Sequence, residues 1–189
     1  MNLALSYIGT QQDEETLALI NGCREGDRVS QEKLYKRYYP KMMSMVKRYT
    51  NIHQYHLAEE ILNNGFLKVF QKVDSYKFEG SFEGWVRRVI YHSIFDYIRQ
   101  HMKYNEKVVF VEKDESVHAD FASGMHYDEL IKLIQELPQT TRYVFNMYVM
   151  EGMTHKQISE HLEMSEGTSK WHLFEARRLL KIKIEKLNK

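Results

Sequence analysis

The sequence is poor in the residues that impose cross-links and breaks. Of its 189 residues only Cys23 is a cysteine, which excludes an internal disulfide and any multi-cysteine zinc site and fits a reducing compartment. Two prolines and nine glycines leave few enforced breaks, so long helices are expected. No apolar run is long enough to span a membrane. No signal-peptide pattern opens the chain, where Asp13, Glu14 and Glu15 come early. A cytoplasmic protein, not inserted in a membrane, is expected. Catalytic signatures are missing too: there are no carboxylate pairs at metal-ligand spacing, no Gly-rich phosphate loop and no HExxH. Nine histidines form no cluster, and His53 and His56 read as surface residues. The reading is a non-enzyme with no catalytic residue, no metal and no cofactor.

One-sided charge is also lacking, because 27 Lys and Arg stand against 26 Asp and Glu. Any case for nucleic acid must therefore come from local segregation. That segregation is present. Lys33, Lys36, Arg37, Lys41, Lys47 and Arg48 face only Glu32 between residues 31 and 57, predicting a basic surface. The stretch from 108 to 137 is acidic, and the C-terminal stretch from Ser165 is basic again.

The most specific pattern lies between Thr154 and Leu180. Thr154 and Gln157 form a capping box at the start of one short helix, whose Ile158 and Leu162 share a face. Ser165 is placed to cap a second helix carrying Lys170, Arg177, Arg178, Lys181, Lys183 and Lys186. Two short helices, a tight turn and a basic second helix read as a DNA-binding helix-turn-helix. An ordinary helical hairpin is the bland alternative.

The rest of the chain also reads as helix. Helices are expected over residues 14–24, from a Ser30 cap through a Pro40 kink to about residue 49, over 55–73, and from a Ser81 cap to about 102. Residues 74–80 form an aromatic-rich loop. Periodicity vanishes from 104 to 125, which reads as a tether, with a short strand at 108–111 as the weaker competitor. Two further helices, divided at Pro138 and ended by Gly152, complete a C-terminal unit of four. The fold class expected is all-α, with two small helical domains, 1–102 and 127–189, joined by a flexible linker at 103–126.

With both units in view, the chain resembles the sigma-70 family of bacterial transcription initiation factors, in the small two-domain extracytoplasmic-function group. Leu34-Tyr-Lys-Arg-Tyr-Tyr-Pro-Lys41 is similar to the family's ELYRRYYPRL-type helix, and Ala58 to Phe70 to its AEDLVQEVFLRVW-type helix. Ser81 to Ile90 followed by Asp96-Tyr-Ile-Arg99 resembles SFRTWLYRIA followed by DYLR. Leu137-Pro138, and Ser165-Glu-Gly-Thr168 to Ala176-Arg177, resemble the family's LP and SEGTVKSRLHRAR-type patterns. Departures are Asn63-Asn64-Gly65, His92, Ser169 and Trp171.

The resemblance implies three surfaces. Glu59, Glu60, Leu62, Asn63 and Phe66 would dock on core RNA polymerase. Tyr76, Phe78 and Phe82, with Arg87, Arg88, Arg99 and Lys103, would hold and help to melt the minus-10 promoter element, the aromatics stacking on unpaired bases and the cations tracking phosphates. Glu166, Thr168, Ser169, Lys170, His172, Phe174 and Arg177 would read the minus-35 element from the recognition helix. Core polymerase and promoter DNA are the implied partners, with an inhibitory anti-sigma factor as the family's habit. In the tether, Glu112, Asp114, Glu115 and Asp120 would suit a basic polymerase channel, an inert linker being the equal alternative. The competing function is a stand-alone helix-turn-helix regulator that binds an operator without polymerase.

Overall fold

A computed structural model describes residues 11–102 and 127–187, and among these every regular element is helical. Eight α-helices follow in order: α1 Gln11–Arg24, α2 Arg28–Lys47, α3 Tyr55–Lys72, α4 Phe82–Met102, α5 Tyr127–Gln135, α6 Gln139–Phe145, α7 His155–Leu162 and α8 Glu166–Leu187. The expected tether, with Lys103, the strand competitor at 108–111 and the four acidic residues proposed for a channel, lies outside the described residues. The chain divides into two compact units, Met1–Val46 with Glu59–Ile94, and Lys47–Ala58 with Phe95–Lys189.

In the first unit, α1 is followed by a turn at Gly26, whose φ of 76° suits glycine, and α2 starts at Arg28. The α2 cap is Asp27 rather than the expected Ser30. The Asp27 carboxylate accepts from the Val29 and Ser30 N–H groups at 3.2 and 2.9 Å, and from the Ser30 hydroxyl at 2.6 Å. The Ser30 hydrogen bonds, with that of Val29, hold this carboxyl below its ordinary range. The helix therefore begins a turn earlier than sequence reading placed it, and Ser30 serves as a donor to the true cap. Gly22 lets α1 and α2 meet, since a Cβ there would lie 2.1 Å from the Ser30 hydroxyl. Next to it Cys23 is buried, and burial, with Asp27 adding its charge, pushes the thiol up to about 11.

Pro40 sits inside α2, exposed, without ending it, as the sequence suggested. Leu34, Tyr38, Met42, Met45 and Val46 line its buried face at spacings of three, four and one. The third helix buries Ile61, Leu62, Phe66 and Val69, and it reaches α4 through Gly65. A Cβ on Gly65 would lie 2.5 Å from Ile90 Cδ1 and 3.4 Å from Ile90 Cα. The glycine departure noted in the sequence is thus the point where two backbones close on each other.

The second unit is built differently. Pro138 divides α5 from α6 as expected, and the buried Arg142 side chain turns back from α6 to the open end of α5. Its Nη1 donates to the carbonyls of Gln135 and Leu137 at 2.7 and 3.2 Å, satisfying acceptors that a helix terminus leaves without partners. Burial lowers the Arg142 pKa, the cost of placing a guanidinium there. After Phe145 the helix widens into a π-helical turn, Asn146–Met150, where sequence reading expected a plain α-helix. This turn buries Asn146 and Met147 completely. The Asn146 amide donates to Arg48 O at 2.8 Å and Arg142 O at 2.9 Å, and Gln135 Nε2 donates to Lys47 O at 2.9 Å. Arg48 pairs with Glu151 at 3.0 Å, both side chains nearly out of solvent. Lys47–Ala58 is thereby held on the C-terminal helices.

Candidate nucleic-acid interface

The helix-turn-helix forms as its caps dictate. Gln157 N–H donates to the Thr154 hydroxyl at 3.2 Å while the Gln157 side chain accepts from Thr154 N–H at 2.9 Å, the reciprocal box predicted for α7. Glu163 then adopts a left-handed φ of 53°, and Met164 N–H returns to Ser159 O at 3.1 Å. Ser165 caps α8 by accepting from Thr168 N–H at 2.9 Å. Ile158 and Leu162 of α7 and Leu173, Ala176 and Leu180 of α8 fill the core of the motif.

On α8 the expected minus-35 residues separate into two faces. Glu166, Lys170, Phe174 and Arg177 succeed one another at helical spacing, the first two exposed and the others partly so, and they form the outward stripe. Thr168 is partly exposed, but its hydroxyl is tied to the Ser165 hydroxyl at 2.8 Å, so it completes the cap. Ser169 and His172 point inward, with 0% and 5% of their surface exposed, and the expectation that they read bases is corrected. Ser169 pairs with the His155 ring at 2.9 Å, and His172 with the Thr141 hydroxyl at 3.0 Å. Burial pushes the His172 pKa down to about 4, so the ring is neutral near pH 7. His155 is lowered too, first by burial and then by the Lys170 charge. Trp171 meets His172 edge-on at 5.0 Å. These contacts fix α8 against α6 and α7.

The loop between α3 and α4 begins with a 3-10 turn, Val73–Ser75. Tyr76 is buried, its hydroxyl donating to Gly80 O at 2.7 Å, and its ring lies 5.0 Å from Phe82 and 5.7 Å from Trp85. Phe82 is buried as well and stacks on Trp85 at 5.4 Å. Tyr76 and Phe82, both expected to hold bases, are therefore the floor of the loop. Phe78 alone of the three presents its ring, 46% exposed. Arg87 and Arg88 are exposed on the first half of α4 and Arg99 near its end.

On α3, Leu62 and Phe66 are core residues, at 0% and 2% exposure, which corrects their expected place on a docking surface. Glu59 is partly buried, while Glu60 and Asn63 are exposed, and Asn63 accepts from the Tyr35 hydroxyl at 3.0 Å. Glu60, Asn63, Asn64 and Leu67 follow the i, i+3, i+4, i+7 pattern of one helical face, and Leu67 is 55% exposed. Sequence reading missed Leu67, although its spacing from Asn63 places it on that stripe. The basic surface expected over 31–57 is largely neutralised: Lys36 pairs with Glu32, Arg37 with Glu15, Lys41 with Glu83 and Arg48 with Glu151.

Among the described residues no group of three or more His, Cys, Asp or Glu could hold a metal, and no helix is long and apolar enough to cross a membrane.

Comparison with known proteins bears on these surfaces together. Residues 34–104 match the family model described as Sigma-70 region 2, and residues 127–180 the one described as Sigma-70, region 4. The chain is similar to the ECF RNA polymerase sigma-E factor of Haemophilus influenzae, at 22% identity over 90% of this chain and 95% of that one. It is also similar to the ECF RNA polymerase sigma factor SigM of Bacillus subtilis, at 26% identity over 79% of this chain and 92% of that one. Among solved structures, the Bartonella quintana sigma factor RpoE, co-crystallised with the anti-sigma factor NepR, aligns with 82% of this chain and 96% of its own, at 15% identity and a TM-score of 0.46.

Proposed function

Given that the chain belongs to the sigma-70 family, in its extracytoplasmic-function group, with both region 2 and region 4, we propose that it binds core RNA polymerase in the cytoplasm and directs promoter-specific initiation. Polymerase supplies the catalysis; this chain supplies recognition and strand opening. The observation that carries the reading is the capped helix-turn-helix in the same chain as a region 2 unit whose α3–α4 loop exposes the Phe78 ring.

Each of the following side chains has a role suited to its chemistry. Glu166 can accept from cytosine N4, Lys170 and Arg177 can donate to guanine edges or phosphate, and the Phe174 edge can meet a thymine methyl. Phe78 offers a face to an unpaired base of the minus-10 element, and Arg87, Arg88, Arg99 and Lys103 track the displaced strand's phosphates. Glu59, Glu60, Asn63 and Leu67 form the surface for polymerase. An anti-sigma factor remains the family's expected antagonist.

The test is run-off transcription with core polymerase over a library of promoter fragments. Discrete start sites that require the protein are the expected result, and Lys170→Ala with Arg177→Ala weakens them by roughly 10-fold or more while polymerase binding stays intact. Tight duplex binding without polymerase, and no new start sites, would overturn this reading in favour of a stand-alone regulator.

A further inference from the structure

The α1 helix lies before both matched regions, yet its last residue reaches the aromatic loop. Arg24 Nη2 donates to Tyr76 O at 3.0 Å, its guanidinium lies 3.8 Å from the Asp74 carboxylate, and Arg24 Cζ sits 5.2 Å from the centre of the Phe78 ring. Three groups of the loop at alternate residues, an acid, a main-chain carbonyl and an exposed ring, thus converge on one side chain. The α1 helix also packs on the 3-10 turn Val73–Ser75 from which the loop departs.

Phe78 needs such a hold. Its φ of 61° is in the left-handed region, which a side chain with a Cβ rarely adopts and which persists only where surrounding contacts impose it. A free Phe would relax to extended or helical backbone and swing its ring away. Here the Tyr76 ring stands 4.9 Å from it, Gly80 reverses the chain at φ 83°, and Arg24 supplies the cation against the ring. The ring is held by these partners and still left about half open to solvent.

We propose that Arg24 is a positioning residue for the minus-10 site: it locks the Tyr76–Gly80 turn so that Phe78 is presented, already ordered, as the platform for one unpaired base. This rests on the initiation reading given above. Pre-ordering matters because a mobile ring must be immobilised at the moment the base unstacks, and that entropy would be subtracted from the stacking energy. The guanidinium is suited to the task by its planar fork, which can bond a carbonyl while lying against a ring. It also places positive charge beside the path of the displaced strand.

The experiment uses the full chain with core polymerase and a single-stranded minus-10 oligonucleotide carrying 2-aminopurine at successive positions, whose fluorescence falls when the base stacks. Wild type quenches at one position. Arg24→Ala and Phe78→Ala both lose that quench and lower oligonucleotide affinity about tenfold. The double variant is no weaker than either single one, because the two residues act as a unit. Phe78→Tyr retains the quench, and the thermal unfolding midpoint of Arg24→Ala stays near wild type. Should Arg24→Ala fail to fold, Arg24→Lys carries the same test, since it keeps the charge and loses the fork. A wild-type quench in the Arg24 variants, or additive losses in the double variant, overturns the proposal. If the wild-type protein gives no polymerase-dependent start sites, the initiation reading fails with it; start sites without this coupling sink the inference alone.

Discussion

Both units have apolar cores, but they differ in how much polar side chain they bury. Among the described residues, Ser93 is the one buried polar side chain of the first unit, whose interior is otherwise Leu, Ile, Val, Met, Phe, Tyr and Cys23 closed around glycine contacts. The second buries Arg48, Thr50, Gln135, Thr140, Thr141, Arg142, Asn146, Ser169 and His172. An apolar core tolerates repacking as long as volume is kept, whereas a buried polar network demands its exact partners. The first unit is therefore sensitive to added atoms, and the second to lost hydrogen bonds and to protons.

The largest test of that contrast is Arg142→Ala, which strips two carbonyls at the end of α5 of their donor and opens a cavity. A loss of about 4 kcal/mol is expected in the denaturant unfolding of the full chain. If Arg142→Ala cost no more than a surface substitution, the view of the second unit as a polar lock would fail.

Acid should act next. Folding lowers the His172 pKa from 6.5 to about 4, so on acidification the unfolded chain takes up this proton first. Stability from this group is whole above about pH 6.5 and is lost as pH falls toward about 4, amounting to about 3 kcal/mol. The lowered His155 acts in the same direction. Melting curves between pH 7 and 4 should show a steeper decline for wild type than for His172→Gln. Parallel declines would mean the ring is not protected from protonation.

The smallest effect belongs to the first unit. Gly65→Ala forces a Cβ against Ile90, at a cost partly offset by the better helix propensity of alanine, and about 1 kcal/mol of destabilisation is expected. A stabilised variant would show that α3 and α4 have room at this crossing.

What could be read from the sequence was what is decided locally. The Thr154–Gln157 box, the Ser165 and Ser81 caps, the Pro138 boundary and the Gly152 stop each depend on neighbours within four residues, and each is present. Residue type misled where tertiary contacts decide. Ser169 and His172 look like DNA readers on a basic helix, yet they stand seven and four residues before Ala176 on the stripe that also carries Leu173 and Leu180. Counting back from the apolar residues would have found them. Leu62 and Phe66 fell to the same error, a family role overriding the apolar period of their own helix. Arg142 left no mark because its partners are main-chain carbonyls, which carry no side-chain signal, and Glu151 and the hold of Arg24 on the loop left none because their partners are remote in sequence.

The burial of Cys23 has a consequence for signalling. Oxidants attack thiolates, and with a thiol pushed up to about 11 only roughly one molecule in ten thousand carries that form near pH 7, under a covering that leaves 4% of the residue exposed. The Cys23 thiol is therefore a poor target for peroxide or for disulfide exchange. Any thiol-based sensing would require Cys23 first to be uncovered.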